Sequence, residues 1–378
     1  MRNKVSDDVE PSSESLDGRS GMTVAEDGSL PFESDEKKLD EVFGRRVPLW
    51  VKVTIAVGIV AVIVVSLGLG RYNLSPLEVV QTLWNSIFDP QAITDPKAFS
   101  AVVKIRLPRI IIVMLVGAAL SIAGASYQGM FKNPMVSPDI LGASAGASLG
   151  AAIGIIYGFP NIAVQIFAFA GGLIAVGLAT AISRSVRYDA ILGLILGGIL
   201  VSSLFQAGTS LLKLVADANN QLPELTFWLM GSFNDVNVGD LLLILAPMAI
   251  GFALLFTQSW KLNVLSFGDE EARSMGINTK VTRLIVILAS TLVSSITVSV
   301  AGIIGWVGLV IPHLARAIVG PNYKVLLPVS TLIGAGFLVI VDDFARCMFP
   351  AEIPIGILTA ILGVPFFIFI FKRNMSGW

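Results

Sequence analysis

A chain of 378 residues that is 54% hydrophobic and only 14% charged, with a mean hydropathy of +0.79, is excluded from the soluble globular class, whose surface needs about a quarter of its residues charged. The net charge of −1 offers nothing to nucleic acid. One cysteine and one histidine exclude a disulfide framework and a Cys/His or multi-histidine metal centre. The composition is that of an all-α polytopic membrane protein.

Residues 1–46 stand apart, with 12 acidic and 7 basic side chains, much Ser and Gly, and few aromatics. Such a segment buries too little apolar surface to offset its ordering entropy, so it is expected to be a disordered acidic cytoplasmic tail. It does not begin basic and turn apolar, as a signal peptide does. The transmembrane domain is expected over 47–374.

A helix crosses the ~30 Å hydrocarbon core with about 20 apolar residues. Candidate spans fall at about 48–69, 107–128, 139–157, 160–182, 189–213, 240–259, 281–301, 305–319, 325–345 and 353–372, giving about ten crossings. With the N-terminus inside, fourteen Lys and Arg flank the spans on the cytoplasmic side against seven outside, which predicts both termini in the cytoplasm. In the outer loop, Ser75-Pro76-Leu77-Glu78 forms a capping-box string. The helix after it places Leu77, Val80, Leu83, Trp84, Ile87 and Phe88 largely on one side, the pattern of a helix lying on a membrane surface.

QGMFKNPMVSPDILGASAGASLGA (128–151) interrupts the apolar pattern. Asn133-Pro134 and Ser137-Pro138-Asp139 predict a tight cytoplasmic turn, because a residue before proline avoids helix. Asp139 is placed to cap the helix that follows. Two overlapping G-x-S-x-G strings within that helix admit an intramembrane serine protease built on Ser144 and His313. The wider pattern argues otherwise: Gly142, Gly146 and Gly150 recur once per turn in a run of Ala and Gly, the spacing that lets membrane helices approach closely.

Further along, SFGDEEARSMGINTK (266–280) reads as a short charged cytoplasmic helix with acids at its N-terminus and Gly276 as a left-handed stop. Gly268, Asp269, Glu270, Glu271, Ala272, Arg273 and Gly276 form a segment that needs something to dock on. At the outer ends of two spans stand Arg106 and Arg109, and Asp342 with Arg346 at i, i+4. Those arginines suit either interface anchoring or gripping of partner carboxylates. The spans themselves hold almost no ionisable residue besides Asp342 and Asp343, unlike a proton-driven carrier. No GxxxxGK[ST] string is present, so energy from ATP would have to come from another chain.

Taken together, RLPR (106–109), GAALSIAGASYQGMFKNPMVSPDILGASAGA (117–147), FWLMGSF (227–233), FGDEEARSMGIN (267–278), GWVGLVIPHLAR (305–316), DDFAR (342–346) and EIPIGILTAILGVPFF (352–367) resemble the FecCD-type permeases, in order and over about residues 50–373. These are membrane subunits of ABC importers for iron–siderophores, haem and vitamin B12. The resemblance implies a type II ABC importer permease fold in a bacterial cytoplasmic membrane. It also implies a second permease subunit, identical or paralogous, two ABC ATPase subunits that bind the ATP, and an extracytoplasmic substrate-binding protein. No cofactor or metal is implied for this chain, which is not an enzyme. Arg106, Arg109 and Arg346 would dock the binding protein, and 268–276 would couple to the ATPase. Asn133, Pro134, Pro138, Gly142, Gly146 and Gly150 would shape packing and the pathway, which the helices after Pro138 and around 189–213 are expected to line. Ferric siderophore is the expected cargo, with haem, cobalamin and molybdate as alternatives.

Overall fold

The computed structural model describes residues 48–70, 72, 74–89, 95–184, 190–348 and 351–375. The acidic segment 1–46 lies outside them. The described chain is helical throughout. The helices are α1 (Leu49–Gly68), α2 (Pro76–Phe88), α3 (Leu107–Phe131), α4 (Ala143–Ile156), α5 (Asn161–Ser183), α6 (Ala190–Val215), α7 (Gln221–Met230), α8 (Val238–Thr257), α9 (Ser259–Phe267), α10 (Asp269–Ser274), α11 (Thr279–Ala301), α12 (Val307–Val319), α13 (Tyr323–Cys347) and α14 (Ile355–Met375). Six of these are long and apolar enough to cross a bilayer alone, and α1, α4, α12 and α14 supply four shorter apolar helices. They correspond to the ten crossings read from the sequence.

The core forms around α3. In its apolar window 83% of residues are buried, against 28% for α8, so α3 sits inside the bundle and α8 at its surface. Its small residues make this possible. A Cβ on Gly117 would overlap the Gly334 carbonyl of α13, and one on Gly124 the Gly308 carbonyl of α12. The backbones therefore touch, as dispersion packing in membranes favours. A second group, α4 with α5 and α6, packs in the same way: Gly146 and Gly171 each face the other's carbonyl, and Gly150 faces that of Phe167. Helix α11 packs against both groups.

Two short crossings depend on irregular backbone. After α3 the chain turns left-handed at Lys132 (φ 51°), and the Asn133 side chain accepts from the Met135 N–H at 2.9 Å. It then re-enters the bundle as a single 3-10 turn, Pro138–Leu141, before α4. Between α11 and α12 the backbone unwinds over 302–306, with positive φ at Gly302 and Trp306. The Ala301 carbonyl left free there accepts from Ser232 N–H at 2.9 Å. Non-helical backbone at such depth is tolerated only where protein or a cavity supplies partners.

The capping box at α2 forms. Glu78 N–H donates to Ser75 Oγ, while the Ser75 N–H and hydroxyl donate to the Glu78 carboxylate at 2.7 and 2.9 Å. Those two bonds hold the Glu78 carboxyl below its ordinary range. Leu77, Val80, Trp84 and Phe88 are exposed along one side, and Val79 is buried on the other.

Candidate functional site

Three places along the bundle axis gather the side chains singled out in the sequence. At one end the arginines stand together, but none is bare. Arg109 on α3 is buried and donates through Nη2 to Asp342 Oδ1 and Glu352 Oε2, both at 2.8 Å. Its Nε and Nη1 complete the two forks, to Asp342 at 3.0 Å and Glu352 at 3.2 Å. Arg106, also buried, donates to the carbonyls of Leu67, Gly68 and Tyr72 and so staples the loop after α1. Arg346 pairs chiefly with Asp343, one turn away, and with Ser66. Its i, i+4 neighbour Asp342 is at 3.9 Å, because Arg109 has taken that carboxylate. Two arginines, Arg109 and Arg346, therefore pair with three acids, while Arg106 is taken up by backbone carbonyls, so the frame is not an open basic patch.

At the opposite end, α13 begins where α9 and α10 end. Asp269 is held from two sides, by Arg283 of α11 at 2.8 Å and by Lys132 of the turn after α3 at 3.7 Å. Ala272 is fully buried beneath α10, while Glu270, Glu271 and Arg273 face outward. Gly276 takes φ +78° and closes the helix: its N–H donates to Arg273 O and the Ile277 N–H to Ala272 O. This is the paired bonding of a Schellman stop, which a side chain at Gly276 would strain. The segment 268–276 thus has an anchored face and a free one.

Between the ends lies a cavity of about 440 Å³ walled by α4 and α6. Its polar lining comprises Asp139, Ser144, Ser148, Ser202, Gln206, Thr209, Ser210 and Lys213. A smaller cavity, about 240 Å³, shares Asp139 and Ser144 and adds Leu120, Ser294 and Trp306. Leu120, Ser294 and Ser202 are mid-helix residues of α3, α11 and α6, so Asp139 stands level with the middle of three long helices. This departs from the reading of the sequence, which left Asp139 in a cytoplasmic turn and the spans nearly free of charge. The 3-10 turn that carries it re-enters the bundle, and periodicity cannot register a re-entry this short.

Asp139 accepts from both the N–H and the hydroxyl of Ser144, so it does cap α4. Ser148 Oγ donates to the Ser144 carbonyl at 2.7 Å. Both hydroxyls of the G-x-S-x-G strings are therefore committed to local bonds, Ser144 to Asp139 and Ser148 to the Ser144 carbonyl. Gly142 is left-handed (φ +84°), and a Cβ there would meet Ser202 Oγ at 2.7 Å, which fixes α6 close to the turn. In the sequence Lys213 counts only as one of the seven basic residues flanking the spans on the outer side. The signal missed there is polar periodicity: Ser202, Gln206, Thr209, Ser210 and Lys213 recur at helical spacing within an apolar helix.

Comparison with known proteins gives the chain a family and the fold a counterpart. The model of the FecCD transport family matches residues 58–373. The molybdate import system permease protein MolB of Haemophilus influenzae is 38% identical over 315 residues, covering 83% of this chain and 93% of that protein. The cobalamin import system permease protein BtuC of Halobacterium salinarum is 40% identical over 269 residues, 71% of this chain and 72% of that one. Among solved structures, an ABC transporter described as metal-chelate type, in an inward-facing conformation, matches with a TM-score of 0.75 and 36% identity. That match covers 84% of this chain and 98% of the other.

Proposed function

The chain belongs to the FecCD transport family, and from that premise we propose that it moves a metal complex inward across a membrane by alternating access driven by a partner ATPase. It is a multi-pass permease subunit of an ABC importer, a transport component without an ATPase domain of its own. The domain at 47–374 is the permease, and both termini lie in the cytoplasm. This orientation puts the arginine frame outside and segment 268–276 inside.

The observation that carries the mechanism is the split character of that inner segment. Asp269 and Ala272 tie it to the bundle, and Glu270, Glu271 and Arg273 are left for a partner. A helix held this way passes a push from a docked ATPase into α11 and into the turn that leads to Asp139. At the outer end, a binding protein docks on the frame of Arg106, Arg109 and Arg346. Its carboxylates compete there with Glu352, which at 24% side-chain exposure is the most open of the three acids.

A ferric chelate of the siderophore class is the first reading of the cargo, supported by the likeness to a transporter described as metal-chelate type. Molybdate is the second, supported by the 38% identity to MolB across 93% of that protein. Deleting the gene and measuring uptake of labelled ferric siderophore, haem, cobalamin and molybdate, each with and without ATP depletion, tests both. Loss of one ATP-dependent uptake is expected. Unchanged uptake of all four would remove metal complexes as the cargo.

A further inference from the structure

Two segments of the bundle are set off from their neighbouring helices by left-handed backbone. The turn after α3 lies between Lys132 (φ 51°) and Gly142 (φ 84°), and α12 lies between Trp306 (φ 69°) and Gly320 (φ 82°). Bounded in this way, each can change direction without unwinding a long helix, so its position is set by what it touches. The two segments touch each other. Pro138 packs against α12 at Gly308, with its Cδ 2.5 Å from where a Cβ on that glycine would stand. Shape alone leaves such a contact free to slide, and the polar tie beside it comes from one residue of α3.

That residue is Gln128, 2% exposed, whose side chain spends all its polar groups on this junction. Its Nε2 donates to Val136 O of the turn at 3.4 Å and to Leu309 O, in the first turn of α12, at 3.3 Å. Its Oε1 accepts from Arg316 Nη2 of α12 at 3.2 Å. An amide nitrogen carries two N–H groups, so both are used, one on each segment. A guanidinium only donates, so Arg316 holds the amide oxygen on its own side and turns the nitrogen toward the two carbonyls. The main chain of Gln128 also holds the near end of the turn, its carbonyl accepting from Asn133 N–H at 3.1 Å.

On the importer reading, motion enters at α10. Asp269 of α10 holds Lys132 at 3.7 Å, at the start of the turn whose far end Gln128 bonds to α12. We propose, on the basis of that reading, that Gln128 is a positioning residue that makes the turn 132–136 and α12 move as one body, and that Arg316 sets the orientation of its amide. A push received at Lys132 then displaces α12 with the turn, and the two do not slide past each other.

The test reads a distance and needs no cargo. In the assembled transporter in lipid nanodiscs, with Cys347→Ser as background, spin labels are placed by Met135→Cys and Ile318→Cys, both at exposed positions. Labelled chain is diluted with unlabelled chain, so that dipolar coupling reports distances within one chain. The distance from 135 to 318 is expected to be narrow, and the same without nucleotide and after trapping with ATP and vanadate. Gln128→Met should broaden it without nucleotide and add a second distance on trapping. Gln128→Glu guards against a chain that fails to fold. Its carboxylate keeps the bond from Arg316 but sets oxygen against the two carbonyls, so it should broaden the distance as well. Arg316→Lys, still a donor only, should keep the single distance, and Arg316→Met should lose it.

A native distance that changes on trapping would show that the turn and α12 move separately. A narrow, constant distance in both Gln128 variants would assign the tie to Pro138 and Gly308 alone. Either result overturns the proposal, and an unchanged distance in Arg316→Met overturns the part given to Arg316. The importer reading fails on a different result, the absence of vanadate-sensitive ATP hydrolysis in the assembled transporter. In that event the widths measured without nucleotide in the native and Gln128→Met chains still decide for or against Gln128.

Discussion

Arg109 reaches Asp342 and Glu352 with the same nitrogen, 2.8 Å from each, and so ties α3 to α13 and to the segment entering α14. Asp342 is 1% exposed and Glu352 24%, so the two halves of this fork differ in what they cost to break. Removing one partner of a buried pair leaves an uncompensated charge and costs about 3–5 kcal/mol, whereas a partly exposed pair contributes about 1 kcal/mol or less. Asp342→Ala should therefore destabilise the detergent-solubilised permease far more than Glu352→Ala, as read by its thermal unfolding midpoint. Equal shifts would mean that burial does not set the strength of this frame.

The same fork makes a prediction about docking. Glu352 is the competitor that an incoming carboxylate meets at Arg109, so Glu352→Gln should raise affinity for the binding protein, by about fivefold if one charge contact is gained. Weaker docking in this variant would show that Glu352 belongs to the contact surface itself. Reversal at Arg109 is a poor probe of docking, because Arg109→Glu would set three carboxyl groups against one another inside the bundle.

On the inner side, Asp269 and Glu270 are neighbours with different tasks. Asp269 is pinned by Arg283 and Lys132, and Glu270 faces out. Asp269→Ala should loosen α10 and lower the thermal midpoint modestly, since the carboxylate is about a third exposed. Glu270→Lys should leave that midpoint unchanged and reduce co-purification of the ATPase subunits. If Glu270→Lys is the variant that unfolds, the division into an anchored and a free face is wrong.

Much of the fold was legible because membrane spans announce themselves by length and hydropathy, and the ten crossings follow the apolar runs. The capping box at Ser75 and Glu78 and the stop at Gly276 were also readable, being local bonds between residues three or four apart. What the sequence withheld were the partners of its charges. Nothing in DDFAR says that Asp342 belongs to Arg109, 233 residues away, more than to Arg346 on its own helix. Asp139 was misplaced for a related reason: its depth is set by a four-residue 3-10 turn whose direction no periodicity encodes. The polar sector of α6 was visible in principle, yet an overall apolar helix hides five hydrophilic positions from any average over its length.

Glycine content was legible too, but not which glycines are indispensable. Gly171 and Gly177 share α5, one turn and a half apart. A Cβ at Gly171 would overlap the Gly146 carbonyl, whereas at Gly177 it would meet nothing within 4 Å. Gly171→Ala should therefore force α4 and α5 apart and cost about 1–3 kcal/mol of overpacking. Gly177→Ala should stabilise by up to about 1 kcal/mol, the helix-propensity difference between the two residues. Thermal unfolding of the two variants side by side decides the matter, and a stabilised Gly171→Ala would contradict the close approach.

The last prediction concerns how motion at α10 reaches the rest of the bundle. Asn263 of α9 and Asn322 at the start of α13 are both buried, and their amides are bonded to each other, Asn263 Nδ2 donating to Asn322 Oδ1 at 2.8 Å. Asn263 Oδ1 in turn accepts the Tyr323 N–H at 2.7 Å, and Asn322 Oδ1 also accepts from Lys324 N–H at 3.0 Å. The clamp therefore fixes α9, which runs into α10 through Gly268, onto the first turn of a 25-residue helix whose far end carries Asp342. Asn263→Leu leaves the buried Tyr323 N–H without its acceptor, about 1–3 kcal/mol, and leaves Asn322 Oδ1 with the Lys324 N–H alone. Asn263→Asp preserves the acceptor for Tyr323 N–H and should cost less, provided the Asn322 amide turns to donate. If α13 links the two ends of the transporter, Asn263→Leu should also lower cargo moved per ATP hydrolysed and blunt the stimulation of ATP hydrolysis by the binding protein. Basal hydrolysis, which belongs to the partner subunits, should persist. A variant that loses stability but keeps the full transport-to-hydrolysis ratio would reduce the clamp to a structural tie and take α13 out of the coupling path.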